Sequence, residues 1–544
     1  MLNDNYKTLY WLLYQFKGGK KGGIKWTTFS HNGVLFSPKY EPHHVPLLYN
    51  GERIVLPDVA EEYATLYAKY SDSEYVKNKT FNKNFWHDWK KILKQNGVNN
   101  IESLENCDFH LIFEHLVKQK EKRMLVDSET KKLDRENRKK NEEKYSIAIV
   151  DGKQQPVGNY RVEPPSIFIG RGCHPLLGKI KRRVYPEDIT LNLSKDAQIP
   201  VAPDGHKWGS IVHDRHVEWI ASWHDDITGK IKYVWLGQHS ELRNKSDLEK
   251  FDRARKLRKK VKDIRNENEK NMQSDNVKMK QIATALYFID KFALRAGNEK
   301  SEDQADTVGV TSLRVEHITL LENNVIKLDF LGKDSIRYNN KVTVDEIVFK
   351  NIEQFCVGKS KTDFVFDQIV PNDLNKYLQS FMKDLTSKVF RTFNASYLFY
   401  KEIKKINAKM EKYDNADKIN VLLDLFNKAN AKVAVLCNHQ KNVSKSFNSQ
   451  LNNINEMIDK LKEKRKKTKN KKSIDAKIKS LKAKKEIKIE LKNISLSTSK
   501  VNYIDPRITI SFMKKHKIPI DKLFTTVLQQ KFQWAFAIDE NWKY

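Results

Sequence analysis

Residues 441–497 constrain the architecture of this 544-residue chain more than any other segment. They hold 18 Lys and Arg against 6 Asp and Glu and contain no Trp or Pro, so they cannot form a globular core. Apolar residues still recur there at heptad spacing in two short seams. The seams are Leu451, Ile454, Ile458 and Leu461, and then Ile474, Ile478 and Leu481. This pattern predicts an antiparallel coiled-coil hairpin that projects from the chain as a linker arm.

The run between the two seams, at 464–472, reads Lys-Arg-Lys-Lys-Thr-Lys-Asn-Lys-Lys and is too highly charged to be buried. One long solvated helix, or a disordered basic tract, is the alternative interpretation of this arm. After the arm, residues 498–544 are again rich in aromatic side chains, which predicts a small compact helical piece.

The sequence before the arm changes character along its length. From Ile24 to Tyr233 it is mixed α/β, with strand-like runs at 52–56 and 217–221 and a charged helical stretch at about 110–145. After about residue 248 it is mainly helical. Apolar residues recur there at helical spacing, namely Ile282, Leu286, Ile289, Phe292 and Ala293. Gly297 is the predicted end of this helix.

A short β-hairpin interrupts this helical part. Residues 325–330 and 336–344 alternate like strands around the turn Gly332-Lys333-Asp334-Ser335. The fold class predicted from these patterns is a multidomain α+β protein.

A net charge of +31 spread along the whole chain predicts a polyanionic partner. Duplex DNA or RNA fits better than a membrane surface, because no Lys-rich amphipathic helix with an apolar face stands out. There is also no run of about 18 apolar residues, so we expect no transmembrane helix. The four cysteines are far apart and form no CxxC, which disfavours a disulfide framework or a zinc site and fits a reducing compartment.

Motifs for nucleotide- or metal-driven chemistry are missing from the sequence. The string Gly358-Lys359-Ser360 has Glu353 where a phosphate-binding loop needs its first glycine, and no HExxH or calcium loop is present. Phosphoryl transfer without a metal needs cations on the non-bridging oxygens, a nucleophile and a general acid. Two Arg, one His, one Tyr and one Lys would suffice, although each of these residues taken singly is uninformative.

Five local strings supply the specificity. They are Leu294-Arg295-Ala296-Gly297-Asn298-Glu299-Lys300, Phe330-Leu331-Gly332-Lys333-Asp334-Ser335, Phe390-Arg391-Thr392-Phe393-Asn394-Ala395-Ser396, Cys437-Asn438-His439-Gln440 and Ser499-Lys500-Val501-Asn502-Tyr503-Ile504-Asp505-Pro506-Arg507. In this order they closely resemble the eukaryotic-type nuclear DNA topoisomerase I family, which is of type IB. The resemblance extends from about Ile24 to the last residue.

The resemblance implies a role for one residue of each string. Tyr503 would attack the scissile phosphorus and hold the 3′-phosphate covalently. Arg295, Arg391 and His439 would bind the non-bridging oxygens, and Lys333 would protonate the leaving 5′-oxygen. Relaxation of positive and negative supercoils would then need no ATP, metal or other cofactor.

Further positions carry over from the family with less weight. Arg171, Asp334 and Asn502 match residues that line the cleavage site, where camptothecin-like intercalating poisons bind. The family has a second Arg two places before Arg171, whereas this chain has Ile169, which weakens detailed expectations there. The basic cluster, defined as Lys179, Lys181, Arg182 and Arg183, is expected to contact phosphate, with a solvated charge run as the alternative.

The resemblance also implies an arrangement of parts. A short basic tail (1–23), a DNA-binding cap (24–233), a catalytic core (234–440), the linker (441–497) and a C-terminal domain with the nucleophile (498–544) would form a monomeric clamp around supercoiled duplex DNA. The nucleus is the expected location, with an import signal at Lys462–Lys472 or at Lys20-Lys21.

Two other classes of protein remain as alternatives. A tyrosine recombinase uses a similar residue set, but it would fail to relax a plasmid that lacks a specific site. A non-catalytic basic DNA-binding protein would explain the charge, but it would form no covalent complex with DNA.

Overall fold

The computed structural model describes residues 23–298, 304–411, 418–441, 443, 446–467 and 471–544. They divide into two compact units. Unit 1 comprises the described residues up to Arg243 together with 304–305, and unit 2 comprises those from Asn244 to 298 and from Asp306 to Tyr544. The predicted tail lies outside the described residues except for Gly23, and so does Lys20-Lys21. The predicted boundaries at 233, 440 and 497 stay predictions.

Unit 1 is mixed α/β. Its helices are α1 (Asp58–Ala68), α2 (Lys79–Gln95), α3 (His110–Leu125) and α4 (Ser128–Glu143). Its strands are β1 (Phe29–His31), β2 (Leu47–Tyr49), β3 (Glu52–Ile54), β4 (Cys107–Asp108), β5 (Ile147–Val150), β6 (Lys153–Pro156), β7 (Ser166–Ile167), β8 (Ile180–Lys181), β9 (Thr190–Asn192), β10 (Ser210–Val212), β11 (Trp219–His224) and β12 (Ile231–Trp235). They form small sheets in the orders β1-β5-β6, β3-β2-β4, β7-β8 and β10-β9-β11-β12.

Helix α2 shows why the helical part of unit 1 folds as it does. The Asn78 side chain caps its start by accepting hydrogen bonds from the Thr80 and Phe81 amides. Every fourth residue from Phe81 is apolar and buried, ending with Trp89 and Leu93. Residues at this spacing share one helix face, so the side chains form a continuous aromatic core against α1.

The charged stretch predicted at about 110–145 is helical, but it is two helices rather than one. The chain leaves helical geometry at Val126, and the Asp127 side chain accepts from the Thr130 amide to start α4. Both helices are mostly exposed, because their sequence is too polar to bury a full face.

Unit 2 is mainly helical around one large core. The helices from Glu241 onward are α5 (Glu241–Asn271), α6 (Val277–Lys291), α7 (Glu346–Cys356), α8 (Pro371–Phe381), α9 (Ser387–Met410), α10 (Lys418–Leu436), α11 (Phe447–Lys467), α12 (Lys471–Glu490), α13 (Leu496–Asn502), α14 (Pro506–Lys515) and α15 (Thr526–Lys531). The C-terminal segment shares this core, since Phe512 of α14 packs on Phe426 of α10 with ring centroids 5.7 Å apart. None of the described helices is long and apolar enough to cross a membrane.

The predicted hairpin is present, but it belongs to a larger sheet. Strands β14 (Val325–Leu331) and β15 (Arg337–Thr343) pair antiparallel, and β13 (Ile318–Leu321) adds a third strand on the other side of β14. The hairpin prediction was therefore incomplete. The run Ile-Thr-Leu-Leu of β13 is short and hardly alternates, so its sequence carries little strand signal.

The prediction that the apolar repeat of α6 runs to Ala293 and stops at Gly297 was wrong. The helix ends at Lys291, and Ala293 already has a left-handed backbone with φ 50°. Ala293 is nevertheless buried, so its apolar character reflects core packing rather than helical continuation.

Helices α11 and α12 form the described part of the predicted arm, and they pack on each other. Ile454 and Ile458 of the first seam and Ile474 of the second are buried, although most of the surrounding side chains are exposed. An ion pair between Arg465 and Asp475 links the two helices. Of the basic run 464–472, residues 468–470 lie outside the described residues.

Candidate active site

Arg295 is held by a short irregular segment that follows α6. The left-handed residue Ala293 turns the chain, and the Arg295 carbonyl then accepts a hydrogen bond of 2.9 Å from the Val310 amide. The adjacent Ala296 carbonyl accepts one of 2.8 Å from Thr311. These bonds fix the backbone, while the Arg295 side chain stays exposed.

Gly297 is a close-packing glycine in the same segment. Its φ is 91°, and a Cβ placed on it would come within 2.5 Å of the Gly309 Cα atom. Only glycine combines this backbone conformation with such a close approach of two main chains. The segment that carries Arg295 is thereby locked against residues 308–311.

Lys333 lies in the turn between β14 and β15. The Val308 amide donates to the Leu331 carbonyl over 2.7 Å, so the same 308–311 segment also fixes the end of β14. Asp334 and Ser335 follow with φ of 66° and 57°, and this left-handed turn leaves the Lys333 side chain exposed.

Arg391 is the buried arginine of the site. It lies on α9, and its two terminal nitrogens donate to the carbonyls of Ala293 and Cys437. Its guanidinium carbon is 5.1 Å from the centre of the Tyr503 ring. Carbonyl dipoles orient this cation but do not cancel its charge, whereas a carboxylate would cancel it.

His439 follows the end of α10 after a left-handed residue, Asn438, with φ 49°. The ring is buried. Its Nδ1 atom is 2.8 Å from the Ser499 hydroxyl, while Nε2 has no hydrogen-bond partner in the described part of the chain. The His439 carbonyl accepts from the Ser495 amide over 2.8 Å, which ties the two ends of the arm together beside the site.

Tyr503 directly follows α13 and is held through its backbone. Its carbonyl accepts a hydrogen bond of 2.8 Å from the Ser396 hydroxyl, which in turn accepts one of 3.0 Å from the Asp505 amide. Asp505 is fully buried, forms an ion pair with Arg507 and caps α14. The two hydrogen bonds of the Ser396 hydroxyl and the buried Asp505–Arg507 ion pair therefore fix the turn that carries Tyr503.

The structure brings all five predicted side chains together. Arg295 donates to the Tyr503 hydroxyl over 3.2 Å, and the His439 ring stacks on the Tyr503 ring with centroids 5.2 Å apart. A cavity of about 200 Å³ is lined by Arg295, Lys333, Arg391 and His439, as well as by Asp334. Residues separated by 208 positions in sequence thus meet at one point.

The charges around Tyr503 change how it ionises. Burial alone raises the pKa of Tyr503, but Arg391 and Arg295 outweigh burial, so the net pKa lies below its ordinary value. Burial, followed by the same two arginines, lowers the pKa of His439 to about 3. The two arginines therefore make ionisation of the Tyr503 phenol easier, beside an imidazole that is neutral, and the site is suited to binding an anion. No group of three or more potential metal ligands occurs among the described residues.

Comparison with known proteins identifies the family to which this chain is similar. The DNA-binding fragment of eukaryotic DNA topoisomerase I matches residues 24–236, its catalytic core matches 239–472, and the C-terminal topoisomerase domain matches 475–544. DNA topoisomerase 1 of Homo sapiens is 41% identical, over 96% of this chain and 72% of its own length. The chain belongs to the eukaryotic DNA topoisomerase I family.

Other topoisomerase relatives differ in length. DNA topoisomerase 1 alpha of Arabidopsis thaliana is 42% identical over 96% of this chain, but only 60% of its own length is covered. DNA topoisomerase 1 of Caenorhabditis elegans is 41% identical, with 68% of its length covered. The chain thus spans about three fifths of the length of the Arabidopsis topoisomerase.

The remaining predicted site residues fall in two places. In unit 2, Asn502 is the exposed last residue of α13, next to Tyr503, and Asp334 is adjacent to Lys333. In unit 1, Arg171 is exposed in the loop after β7. The role of Arg171 at the cleavage site stays a prediction.

The basic cluster is ion-paired within unit 1. Its four side chains face acidic partners, and the pairs are Lys179 with Asp88, Lys181 with Glu163, Arg182 with both Asp188 and Asp226, and Arg183 with Glu62. A phosphate contact there would have to compete with a carboxylate. The expected contact with DNA stays a prediction.

Sequence reasoning assigned no role to the residues that hold the five side chains in place. Ser396 and Ser499 lie within the quoted strings, yet serine is too common for its identity to indicate a contact. Asp505 and Arg507 gave a better signal, because a charged pair two residues apart beside a proline is typical of a capped helix start. Their burial was not predictable from that pattern.

Proposed function

We propose that this protein is a type IB DNA topoisomerase that acts on duplex DNA. One observation carries the proposal: the Tyr503 hydroxyl accepts a hydrogen bond from Arg295, and the Tyr503 ring lies against Arg391 and His439, in a site whose cavity is also lined by Lys333. A tyrosine that lies against two arginines is suited to attack on a phosphodiester, because the cations stabilise the negative charge that develops.

The chemistry follows from the positions of these groups. The Tyr503 oxygen, having lost its proton to solvent, attacks the phosphorus and forms an O–P bond. The bond from phosphorus to the 5′-oxygen breaks, and Lys333 gives that oxygen a proton. Arg295, Arg391 and the Nε2 side of His439 bind the non-bridging oxygens while negative charge develops there.

The product is a 3′-phosphotyrosine and a free 5′-hydroxyl. The bond energy is conserved, so the reverse attack by the 5′-hydroxyl reseals the strand. Between the two steps the free duplex end rotates, and torsion in the DNA drives relaxation of either sign. Side chains supply every group that this sequence of steps requires, which is why we expect no dependence on ATP, metal or another cofactor.

The larger arrangement is also proposed. Units 1 and 2 would act as a monomeric clamp around the duplex, and α11 and α12 would be a coiled-coil linker beside the DNA. Arg171, Asp334 and Asn502 would line the cleavage site and a camptothecin-like poison. The exposed run Lys462–Lys467 on α11 is the described candidate for nuclear import, and the nucleus is the proposed location.

The test is relaxation of positively and negatively supercoiled plasmids in EDTA without nucleotide. Wild type should relax both, and rapid denaturation should trap protein on the 3′ end. Tyr503→Phe should form no covalent complex yet bind duplex DNA normally, because only the nucleophilic oxygen is lost. Tyr400→Phe, which removes a hydroxyl elsewhere on unit 2, is the matched control and should behave as wild type.

The assignment is wrong if relaxation requires Mg²⁺ or ATP, or if Tyr503→Phe still attaches to a 3′ end. Activity only on plasmids with one specific site would indicate a recombinase. Binding without any covalent complex in wild type would indicate a structural DNA-binding protein.

A further inference from the structure

The two ring nitrogens of His439 have different surroundings. Nδ1 is 2.8 Å from the Ser499 hydroxyl. Nε2 is buried and, within the described part of the chain, makes no hydrogen bond. His439 is one of the residues that line the cavity, so Nε2 is the ring nitrogen that remains for a ligand that enters there. An unsatisfied buried polar atom calls for an explanation, and a ligand in this cavity would supply one.

The neutral state of His439 makes the position of its single proton decisive. Burial together with two nearby arginines holds the pKa of His439 at about 3, so the ring carries one proton at neutral pH. Phosphate oxygens accept hydrogen bonds and do not donate them. A neutral imidazole therefore helps only when Nε2 carries the hydrogen, and Nδ1 must then accept a hydrogen bond.

Ser499 is placed to donate that bond. It is fully buried on α13, so no bulk water substitutes for its hydroxyl. The Ser499 carbonyl also accepts a hydrogen bond of 3.0 Å from the Tyr503 amide. One residue thus contacts both the imidazole and the backbone of the nucleophile.

We propose that Ser499 is a positioning residue that holds His439 in the Nε2–H tautomer and fixes the plane of its ring toward the scissile phosphate. This inference rests on the proposed function and adds a coupling to it. His439 becomes a donor only when α13, which delivers Tyr503, is seated. The same placement of α13 would therefore bring Tyr503 to the phosphate and prepare His439 to donate a hydrogen bond to it.

The first test is a double-mutant cycle with single-turnover cleavage of a short duplex. Ser499→Ala should slow cleavage about tenfold, the effect of leaving one buried polar atom unpaired. His439→Gln places an amide N–H near the position of Nε2 and has no tautomers. In that background Ser499→Ala should change the rate less than about twofold, because no imidazole remains to be set.

Ser497→Ala is the matched control, since it makes the same chemical change at an exposed position of α13. It should leave the cleavage rate unchanged. An equal loss from Ser499→Ala in both backgrounds would overturn the proposal, because Ser499 would then act on folding or on Tyr503 alone. Absence of a covalent complex in wild type would instead overturn the proposed function, so the two failures are distinguishable.

The second test reads the tautomer without any reaction. Long-range ¹H–¹⁵N spectra of histidine-labelled protein distinguish the two neutral tautomers, and the His439 signal is assigned by its loss in His439→Gln. Wild type should show hydrogen on Nε2, and Ser499→Ala should show a mixture or a mobile ring. Hydrogen on Nδ1 in wild type, with Ser499 as acceptor, would refute the assignment.

Discussion

Two groups of Lys and Arg side chains, one in each unit, differ in whether carboxylates neutralise their charge. In unit 1 every member of the basic cluster is ion-paired; Arg182, for example, contacts Asp188 at 2.7 Å and Asp226 at 2.6 Å. In unit 2, Arg295, Lys333 and Arg391 form no ion pair with any carboxylate of the described residues. The observed partners of the two arginines are backbone carbonyls and the Tyr503 hydroxyl.

The difference separates cations that stabilise a fold from cations that are kept for a ligand. A carboxylate partner cancels the charge, and an incoming phosphate must displace it. A carbonyl partner orients the guanidinium through a dipole and leaves a full positive charge for the ligand. Sequence alone could not separate the two groups, because Lys179–Arg183 is the denser cluster and neither arginine of the site has a basic neighbour.

Matched arginine variants test this comparison with the largest expected effect. Arg295→Ala should lower single-turnover cleavage by about 10²–10³-fold, since it removes a preorganised cation from the developing charge. Arg182→Ala, also an exposed arginine, should change cleavage less than about threefold. It should lower the melting temperature instead, because Asp188 and Asp226 would lose their cation.

Thermal melting and cleavage measured on both variants decide the outcome. A cleavage defect of similar size in Arg182→Ala would mean that the basic cluster leaves its carboxylates and binds the DNA. The distinction between paired and unpaired cations would then hold only for the free protein.

Lys333 gives the second test, because its proposed role needs a proton and not only a charge. Lys333→Ala should slow cleavage about a hundredfold on an ordinary duplex. A 5′-bridging sulfur is a good leaving group without protonation, so a substrate that carries it should recover most of the rate. Lys341→Ala, an exposed lysine of β15, is the control and should show neither loss nor recovery. Equal slowing on both substrates would assign Lys333 a purely electrostatic role.

The fold was predictable where local pattern and tertiary environment agree. Strands β14 and β15 alternate regularly around a polar turn, and residues 325–330 and 336–344 were predicted almost to their ends. The prediction failed beyond Lys291, where an apolar run continues although the helix has stopped. Burial of Ala293 in the core imitates helical periodicity there, and one-dimensional spacing cannot distinguish the two causes.

The site was predictable as residue types but not as a geometry. The quoted strings named the five side chains, but nothing local places Tyr503 against Arg295, 208 residues earlier. Left-handed backbone at Ala293, Asp334 and Asn438 sets the chain direction at three of the strings, and alanine is the least expected of these three residues in that conformation. Such strain is set by tertiary contacts, so it was visible only in the structure.

The smallest expected effect concerns pH and isolates what the unpaired arginines do to the nucleophile. Arg391 and Arg295 together bring the pKa of Tyr503 below its ordinary value, against the opposing effect of burial. The cleavage rate should therefore rise with pH as the phenolate forms and level off above that pKa. Removing the Arg295 charge raises the pKa, so the rise should move to higher pH and the deficit should be largest on the acid side.

The 5′-sulfur substrate makes this shift measurable, because it removes the dependence on Lys333 and leaves only the ionisation of the nucleophile. With the pKa of His439 at about 3, the imidazole stays neutral and adds no acid limb between about pH 5 and 9. Wild type, Arg295→Ala and Arg182→Ala are compared on this substrate after each profile is scaled to its plateau. The first variant should be severalfold slower than wild type at the acid end, and the second should superimpose on it. Coincident midpoints for all three would mean that Arg295 acts only on the phosphate oxygens, and that the lowered tyrosine pKa belongs to the free protein and not to the DNA complex.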